Sequence, residues 1–464
     1  MNSTTISELD RLFHPKSAAI IGASGRAGSF GRLFLQGFIK MGFNNIYPVH
    51  PREKELLGLK AYSSVKEIPA EVDMVIILTP PGEALRIIQE CVEKRVNSII
   101  LFTAGFKEKS EEGGQLEETI GKLVKEANIK LVGPNTNGLY CPSAKLLTLP
   151  GSLSAGGLPA ESGALSVFAQ SGSFNDYLCQ VLTGKNIRFN KVVSCGNERD
   201  LGAVDFLEYF GVDNETQVIA GYLEGIKDGR KFYQLARQIT KKKPVVIWKG
   251  GLTETGAKAA LAHTGALAGS RQVWETMFKQ AGVTSVSSFE EMTDCLLAFS
   301  WLPLPQGKRV GIVSGMGGTN VGTADNCIIA GLEIAKFSQN TLNRLAQVLP
   351  AYGTAVLNPV DVGVGMLLTP QLYGETIKIL ADDENVDILL TVTAPDSPLS
   401  IQSIADAVKI INKPLVTAVF DVTGLVEPQF KYLLEQHIPV YHEAKRAAFV
   451  LAKLCNYAEY RIQN

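Results

Sequence analysis

A single histidine within a long stretch of small residues is the strongest candidate for chemistry in this sequence. His263 lies in the segment Gly250–Ser270, which follows an apolar, strand-like run that ends at Lys249. Open α/β sheets bind ligands at the carboxyl ends of their strands, so we expect this segment at a ligand edge. An exposed imidazole there can act as a nucleophile toward a phosphoryl group. The alternative is a loop histidine that makes only local hydrogen bonds.

A carboxylate at the end of another strand is a candidate partner for that histidine. Glu224 follows the run Gln217–Leu223. A carboxylate that accepts one imidazole N–H fixes the tautomer and leaves the other nitrogen free to attack. Taken alone, Glu224 is also typical of a helix N-cap or a surface acid.

Three strand-to-helix turns rich in Gly and Ser are candidate anion sites, because such turns point backbone N–H groups at a ligand. They are Gly22–Gly31, Gln170–Phe174 and Gly315–Asn320. Each one alone is also explained as a tight connection without a ligand. In the first turn, we expect Gly22, Ser24, Gly25, Arg26, Gly28 and Ser29 to contact a phosphate-bearing cofactor.

The charges after the second strand favour coenzyme A over NAD as that cofactor. The first turn lacks the GxGxxG pattern, and the strand Asn45–Val49 is followed by His50 rather than by a ribose-binding acid. Arg52 and Lys54 follow instead. These two cations match the pyrophosphate and 3′-phosphate of coenzyme A. An NAD-dependent oxidoreductase is therefore the weaker alternative.

Composition excludes several other classes of function. The 464 residues carry 45 Lys and Arg against 46 Asp and Glu, a formal net charge of −1, which argues against nonspecific nucleic-acid binding. The seven cysteines include no CxxC pair, so we expect free thiols and no zinc site. We expect no metal site, no signal peptide and no membrane span, and hence a soluble, cytoplasmic protein.

Apolar β-branched runs alternate with helical patterns along the chain, which predicts an α/β fold built from parallel βαβ units. At about 150 residues per domain, the length allows three domains. Punctuated stretches at Pro142–Ser162 and Trp301–Lys308 separate them. We therefore expect three tandem domains, at residues 1–140, 141–300 and 301–464.

These motifs together resemble the succinyl-CoA synthetase superfamily, and within it the α subunits of ADP-forming acetyl-CoA synthetases. The resemblance covers nearly the whole chain, and its most specific part is HTGALAGS from His263. Other matching segments are AIIGASGRAGSFG from Ala19, TAGFKE from Thr103, VGPNTNG from Val132, AQSGSF from Ala169, GNERD from Gly196, YLEGI from Tyr222, GMGGTNVGTAD from Gly315, LNPVDVG from Leu357 and IPVYHEAKRA from Ile438.

The resemblance implies a Rossmann-like CoA-binding domain followed by two flavodoxin-like ligase domains. It implies that His263 is phosphorylated and that Glu224 holds its imidazole. It also implies that two helix N-termini bind the phosphate. Their residues are Ser171, Gly172 and Ser173 in the second turn, and Gly317, Gly318 and Thr319 in the third.

The implied reaction converts acyl-CoA, phosphate and ADP reversibly to acid, CoA and ATP. We expect the nucleotide and Mg²⁺ to bind an ATP-grasp β subunit in an α₂β₂ assembly, because three α/β units use up residues 1–464. A noncatalytic CoA-binding regulator of the same superfamily is the main alternative. Ala262 stands where the family commonly has Ser, and Thr136-Asn137 where Cys-Leu is common. These differences leave the acid substrate open.

Overall fold

The structure is a computed structural model that describes residues 3–258, 269–363, 369–394, 398–420 and 426–464. By its internal contacts the chain divides into two compact units, Met1–Ser287 and Ser288–Asn464. The first unit contains two sheets, and the second contains one.

A five-stranded parallel sheet forms the first part of the first unit. Its strand order is β2-β1-β5-β6-β7, and β3 and β4 form a separate hairpin. Every residue of β1, β5 and β6 is buried, because helices cover both faces of the sheet. The strands are β1 (Ala18–Ile21), β2 (Ile46–Val49), β3 (Glu55–Leu56), β4 (Leu59–Lys60), β5 (Met74–Ile77), β6 (Ser98–Leu101) and β7 (Lys130–Val132).

The helices around this sheet begin where the sequence provides capping side chains. The Ser29 hydroxyl accepts from the backbone N–H of Arg32, and Ser110 accepts from Gly113 in the same way. Gly42 ends its helix in the left-handed conformation, with φ of 75°. The helices are Ser3–Phe13, Phe30–Met41, Pro81–Lys94 and Glu111–Glu126, with a 3₁₀ turn at Val65–Glu67.

The second sheet of the first unit has seven strands in the order β14-β13-β12-β10-β11-β8-β9. Its central strands are parallel, whereas β8 and β9 form an antiparallel edge. The strands are β8 (Leu139–Cys141), β9 (Leu146–Leu147), β10 (Leu165–Ala169), β11 (Phe189–Ser194), β12 (Val218–Leu223), β13 (Val245–Lys249) and β14 (Thr284–Val286). The helices are Pro150–Ser154, Gly172–Gly184, Ala203–Val212, Gly229–Ile239 and Arg271–Gln280.

The punctuated stretch Pro142–Ser162 is more than a connection, because part of it folds at this edge. The segment contains β9 and a short helix at Pro150–Ser154. Strands of two or three residues carry no periodic pattern, and their pairing comes from neighbours distant in sequence. The expected domain boundaries stay predictions.

The second unit is built on a parallel sheet in the order β16-β15-β18-β19-β20, with β17 also paired to β15. Its strands are β15 (Arg309–Ser314), β16 (Glu333–Ile334), β17 (Val360–Asp361), β18 (Ile388–Thr393), β19 (Leu415–Val419) and β20 (Val440–Tyr441). Its helices are Phe289–Trp301, Gly317–Ala330, Gln339–Val348, Leu372–Ala381, Pro398–Val408, Glu427–Glu435 and Ala444–Gln463.

One apolar cluster joins the two sheets of the first unit. It includes Phe34 and Phe38 from the helix after β1, and Phe168 from β10. Phe13 stacks on Tyr209 with ring centroids 5.5 Å apart, which adds an aromatic contact across the junction. The turns at the carboxyl ends of both sheets therefore belong to one packed body. Within the described ranges, no helix is both long and apolar enough to span a bilayer.

Candidate functional site

The first glycine turn, Gly22–Ser29, brings a helix N-terminus against the end of β1. Gly22 and Gly28 have φ of 88° and 74°, which favours glycine at both positions. A Cβ on Gly31 would lie 2.1 Å from the carbonyl oxygen of Gly22, so only glycine lets the helix approach this closely. Within the turn, the Ser24 hydroxyl accepts from the backbone N–H of Arg26 at 3.1 Å. The cap and the glycines hold the turn open to an anion at the helix N-terminus.

Exposed cations lie on this turn and on the loop after the neighbouring strand. Arg26 lies on it, and Arg52 and Lys54 lie on the loop after β2, the strand next to β1. Among the residues that the structure describes, no carboxylate lies within 4.0 Å of these three side chains. His50 organises the loop, because its Nδ1 accepts from the backbone N–H groups of Arg52 and Glu53. The predicted cofactor-binding residues thus follow two adjacent strands at one sheet edge, a donor set that fits phosphate groups.

The second turn begins at the end of β10. The Ser171 hydroxyl caps the helix Gly172–Gly184 by accepting from the backbone N–H of Phe174. A Cβ on Gly172 would lie 2.6 Å from the side-chain Cγ of Asn137, which comes from the loop after β7. The Asn137 amide also donates to Asp176 at 2.7 Å. The first sheet therefore contributes a polar side chain to the second turn.

Glu224 lies at the end of β12, the strand adjacent to β10. The residue is buried, with 6% of its surface exposed. The Tyr222 hydroxyl donates to Glu224 Oε1 at 3.4 Å. Burial first, and the nearby carboxylate second, raise the pKa of Tyr222 to about 12, which keeps that hydroxyl a donor. A buried acid at this edge differs from the surface acid that its sequence position also allowed.

Gln170 connects the second turn to Glu224. Its side-chain oxygen accepts from the backbone N–H groups of Glu224 at 2.5 Å and Gly225 at 3.1 Å. Its side-chain nitrogen donates to the carbonyl of Gly225 at 2.8 Å. Three hydrogen bonds therefore join the residue before Ser171 to the backbone around Glu224.

A buried lysine donates a hydrogen bond to the backbone carbonyl of Glu224. Lys249 ends β13, is 2% exposed, and donates through Nζ to the carbonyls of Glu224, at 2.8 Å, and Gly250. Its ammonium lies 4.9 Å from the ring centroid of Trp274. Burial lowers the pKa of Lys249 to about 8, and the Glu224 carboxylate limits the decrease. The segment that carries His263 starts immediately after this lysine.

The position of His263 lies outside the described residues, because the structure describes the chain up to 258 and again from 269. Its role therefore stays a prediction. The strand before the His263 segment, β13, is described by the structure. The strands β10, β12 and β13 are consecutive neighbours in the sheet and run parallel. Their carboxyl ends lead into the second turn, Glu224 and the His263 segment.

The third turn lies in the second unit and has a different electrostatic environment. Thr319 bonds back to the carbonyl of Met316 through its hydroxyl at 2.8 Å. A Cβ on Gly317 would lie 2.9 Å from Oδ2 of Asp361, so a carboxylate lies beside this helix N-terminus. Gly317 and Gly318 are exposed. Phosphate binding at Gly317, Gly318 and Thr319 stays a prediction.

Two of the sequence motifs form a structural joint inside the first unit. The Asn197 amide donates to Glu108 at 2.7 Å and to Glu117 at 2.8 Å. Lys107 donates in return to the carbonyl of Asn197 at 2.8 Å. The segments TAGFKE and GNERD therefore join the two sheets and fix the relative position of their ligand edges.

Sequence reasoning placed Gln170 in the second turn without giving it a role, and it did not include Lys249 in the site. Each is the residue at or just after the end of a strand, which was the available signal. Within the described ranges, no group of three or more His, Cys, Asp or Glu side chains is arranged to hold a metal ion.

Three family models match the chain in order. The model described as a CoA binding domain matches residues 16–142, which include the first turn. A succinyl-CoA ligase like flavodoxin domain matches residues 162–299, and a ligase-CoA domain matches residues 310–461. The fold is thus that of a CoA ligase with a CoA-binding domain and two ligase domains.

Whole-chain comparisons narrow this class. The chain is 36% identical to the α subunit of acetate–CoA ligase [ADP-forming] II of Pyrococcus furiosus, over 95% of this chain and 96% of that one. Its structure matches that of a dinucleotide-forming acetyl-coenzyme A synthetase 1 from Ca. Korarchaeum cryptofilum, solved with phosphate and ADP. That match has a TM-score of 0.89 and 30% identity, and it covers 98% of this chain and 97% of that one. The chain belongs to the family of ADP-forming acetate–CoA ligase α subunits.

Longer relatives carry additional chain. Acetate–CoA ligase [ADP-forming] I of Archaeoglobus fulgidus is 34% identical over 97% of this chain, which spans only 64% of that relative.

Proposed function

We propose that this chain is the α subunit of an ADP-forming acyl-CoA synthetase that passes a phosphoryl group through His263. In the proposal, acyl-CoA, phosphate and ADP are converted reversibly to acid, CoA and ATP. The observation that supports it most is the sequence of elements at one sheet edge. A capped helix N-terminus, a buried carboxylate and the histidine segment follow the adjacent strands β10, β12 and β13.

The first step releases CoA. A phosphate oxygen attacks the acyl carbonyl carbon, the carbon–sulfur bond breaks, and the thiolate leaves and takes up a proton. The products are CoA and an acyl phosphate. Backbone N–H groups at the second turn are placed to stabilise the added phosphate charge, an effect of about 0.3–2 kcal/mol per helix end. The exposed cations Arg26, Arg52 and Lys54 bind the phosphate groups of CoA.

The second step transfers the phosphoryl group. One His263 imidazole nitrogen attacks phosphorus, the bond to the acyl oxygen breaks, and the carboxylate leaves. The Glu224 carboxylate accepts the N–H of the other nitrogen, which stabilises the positive charge that develops on the ring. Such transfer depends on positioning and charge stabilisation, so a carboxylate and a helix end suffice without a dense acid–base cluster.

The third step needs a nucleotide site. We propose that a separate ATP-grasp β subunit binds ADP with Mg²⁺, in an α₂β₂ assembly. An ADP oxygen attacks the phosphohistidine, the phosphorus–nitrogen bond breaks, and ATP forms. The name of the Pyrococcus relative as an α subunit supports a partner subunit, and so does the extra length of the Archaeoglobus relative.

A labelling experiment tests the proposal. The chain, alone and with its partner subunit, is incubated with acetyl-CoA and radiolabelled phosphate in the absence of nucleotide. We expect an acid-labile, base-stable label on the wild-type protein and its loss in His263→Asn. His442→Asn is the matched control, because His442 is an exposed histidine beside Phe430 in the other unit.

Full labelling of His263→Asn would overturn the phosphohistidine. Tight CoA binding without any label, in the presence of the partner, would favour the noncatalytic regulator instead. Release of the label by ADP, with formation of ATP, would complete the cycle.

A further inference from the structure

The β10–β12 ladder ends just before the site, and a side chain continues it. The last paired residues are Ala169 and Tyr222. Beyond them, the Gln170 backbone N–H donates to the carbonyl of Tyr222 at 3.2 Å. Its side-chain amide then pairs with both backbone groups of Gly225 and with the N–H of Glu224. Gln170 thus acts as one more rung between the two strands.

These contacts are buried. Gln170 is 8% exposed, and its side-chain hydrogen bonds to Glu224 and Gly225 are buried. Its side chain also hydrogen-bonds the buried carboxylate of Glu198. An apolar residue here would leave two N–H groups and one carbonyl without this partner, and buried backbone groups are costly to leave unpaired. The Glu224–Gly225 backbone would then move to recover hydrogen bonds.

The backbone of Glu224 is held at both of its polar groups. Gln170 accepts from its N–H, and Lys249 donates to its carbonyl. Gln170 also directly precedes Ser171, the cap of the second turn. A shift at Gln170 therefore changes the position of the carboxylate relative to that turn.

On the basis of the proposed function, we propose that Gln170 is a positioning residue that fixes the Glu224 carboxylate relative to the Ser171 turn and thereby sets the rate of histidine phosphorylation. Its effect passes through Glu224, and phosphate affinity stays with the turn.

A double-mutant cycle tests this route. Gln170→Met keeps the length of the side chain and removes its hydrogen bonds. We expect the maximal rate of labelling from acetyl-CoA and phosphate to fall by about 10- to 100-fold, because small displacements of catalytic groups are that costly. The KM for phosphate stays within about twofold, since the turn is unchanged. In a Glu224→Gln background, Gln170→Met causes no further loss beyond about twofold.

Two additional variants keep the test decisive. Gln217→Leu is the matched control, because Gln217 is an exposed glutamine at the opposite end of β12, and we expect wild-type labelling. Gln170→Glu keeps an oxygen acceptor for the two N–H groups but loses the donor to the Gly225 carbonyl and to Glu198. Its rate should therefore fall between those of wild type and Gln170→Met. CoA affinity reports folding of the first unit. If Gln170→Met no longer binds CoA, the cycle is measured with Gln170→Glu.

Losses that multiply in the double mutant would overturn the proposal, and so would an unchanged rate in Gln170→Met. These outcomes are distinct from failure of the proposed function, in which the wild-type protein itself stays unlabelled or His263→Asn becomes labelled.

Discussion

The first and second glycine turns share a backbone design but differ in the charges around them. Each follows a buried parallel strand and leads into a helix capped by a serine, Ser29 or Ser171. The first is flanked by exposed cations and the second by a buried carboxylate and a buried lysine. In the proposed function, each turn is a general anion site, and the surrounding side chains decide whether the anion is only bound or also transferred.

The difference in charge agrees with the proposed binding of CoA at the first turn and the proposed phosphoryl transfer at the second. Exposed cations add attraction for phosphate groups and leave them chemically unchanged. A carboxylate near a phosphate site lowers phosphate affinity by charge repulsion. Glu224 would therefore be unfavourable at a site that only binds phosphate. Its position is explained if a group that becomes positive, such as an imidazole, enters between the carboxylate and the phosphate.

The largest expected effect comes from blocking the first turn. Gly31→Ala places a Cβ against the backbone of Gly22, and backbone cannot rotate away as a side chain does. We expect a loss of about 3 kcal/mol in the free energy of unfolding, together with a strong loss of CoA affinity. Urea denaturation and calorimetric titration with CoA measure the two quantities.

Gly82→Ala is the matched control. Gly82 is also the second residue of a helix on the first sheet, and a Cβ there meets nothing within 4 Å. We expect a stability equal to or slightly above that of wild type, because alanine restricts the unfolded chain. Equal stability of the Gly31 and Gly82 variants would contradict the close approach of helix and strand.

A smaller effect concerns Lys249, the buried lysine at the end of β13. The pKa of Lys249, about 8, lies below the ordinary lysine value, so the folded chain releases this proton before the unfolded chain does. Between about pH 8 and 10.5, the unfolded state binds more protons, and the wild-type protein gains stability relative to Lys249→Met as the pH rises. From pH 7 to 9.5, we expect that gain to be at most about 2 kcal/mol.

Chemical denaturation at the two pH values measures this gain. Lys242→Met is the control, because Lys242 is exposed and its ammonium stays hydrated in both states. A difference between wild type and Lys249→Met that stays flat, or falls, with rising pH would show that the lysine is not desolvated. The second turn would then resemble the first.

The sequence predicted the longer apolar strands, among them the edge strand β2, and it missed several strands of two or three residues, such as β8, β9 and β16. Long apolar runs such as Val218–Leu223 carry a clear pattern, whereas the two residues of β9 pair only because β8 lies beside them. Glu224 was identified because it ends a strand. The role of Gln170 was missed because its partners lie more than 50 residues away, and their proximity depends on β10 and β12 being neighbours.

The smallest effect tests whether the exposed cations of the first turn bind the distal phosphate of CoA. Replacing both Arg52 and Lys54 with Ala removes two exposed charges from the loop after β2. We expect CoA affinity to fall by about tenfold, or about 1.4 kcal/mol. Dephospho-CoA lacks the 3′-phosphate, so its affinity should change much less. Titration of wild type and variant with both ligands gives the comparison.

The double variant Lys122→Ala and Lys125→Ala is the control. It removes the same charge from exposed positions on the helix Glu111–Glu126, one of the helices around the first sheet. It should leave the affinity for both ligands unchanged at physiological salt, where distant exposed charges are screened. If the variant with Arg52 and Lys54 replaced lost equal affinity for CoA and dephospho-CoA, these cations would bind the pyrophosphate and not the 3′-phosphate. If neither ligand lost affinity, these cations would not bind CoA. The charges around the first turn would then not explain a difference in function from the second.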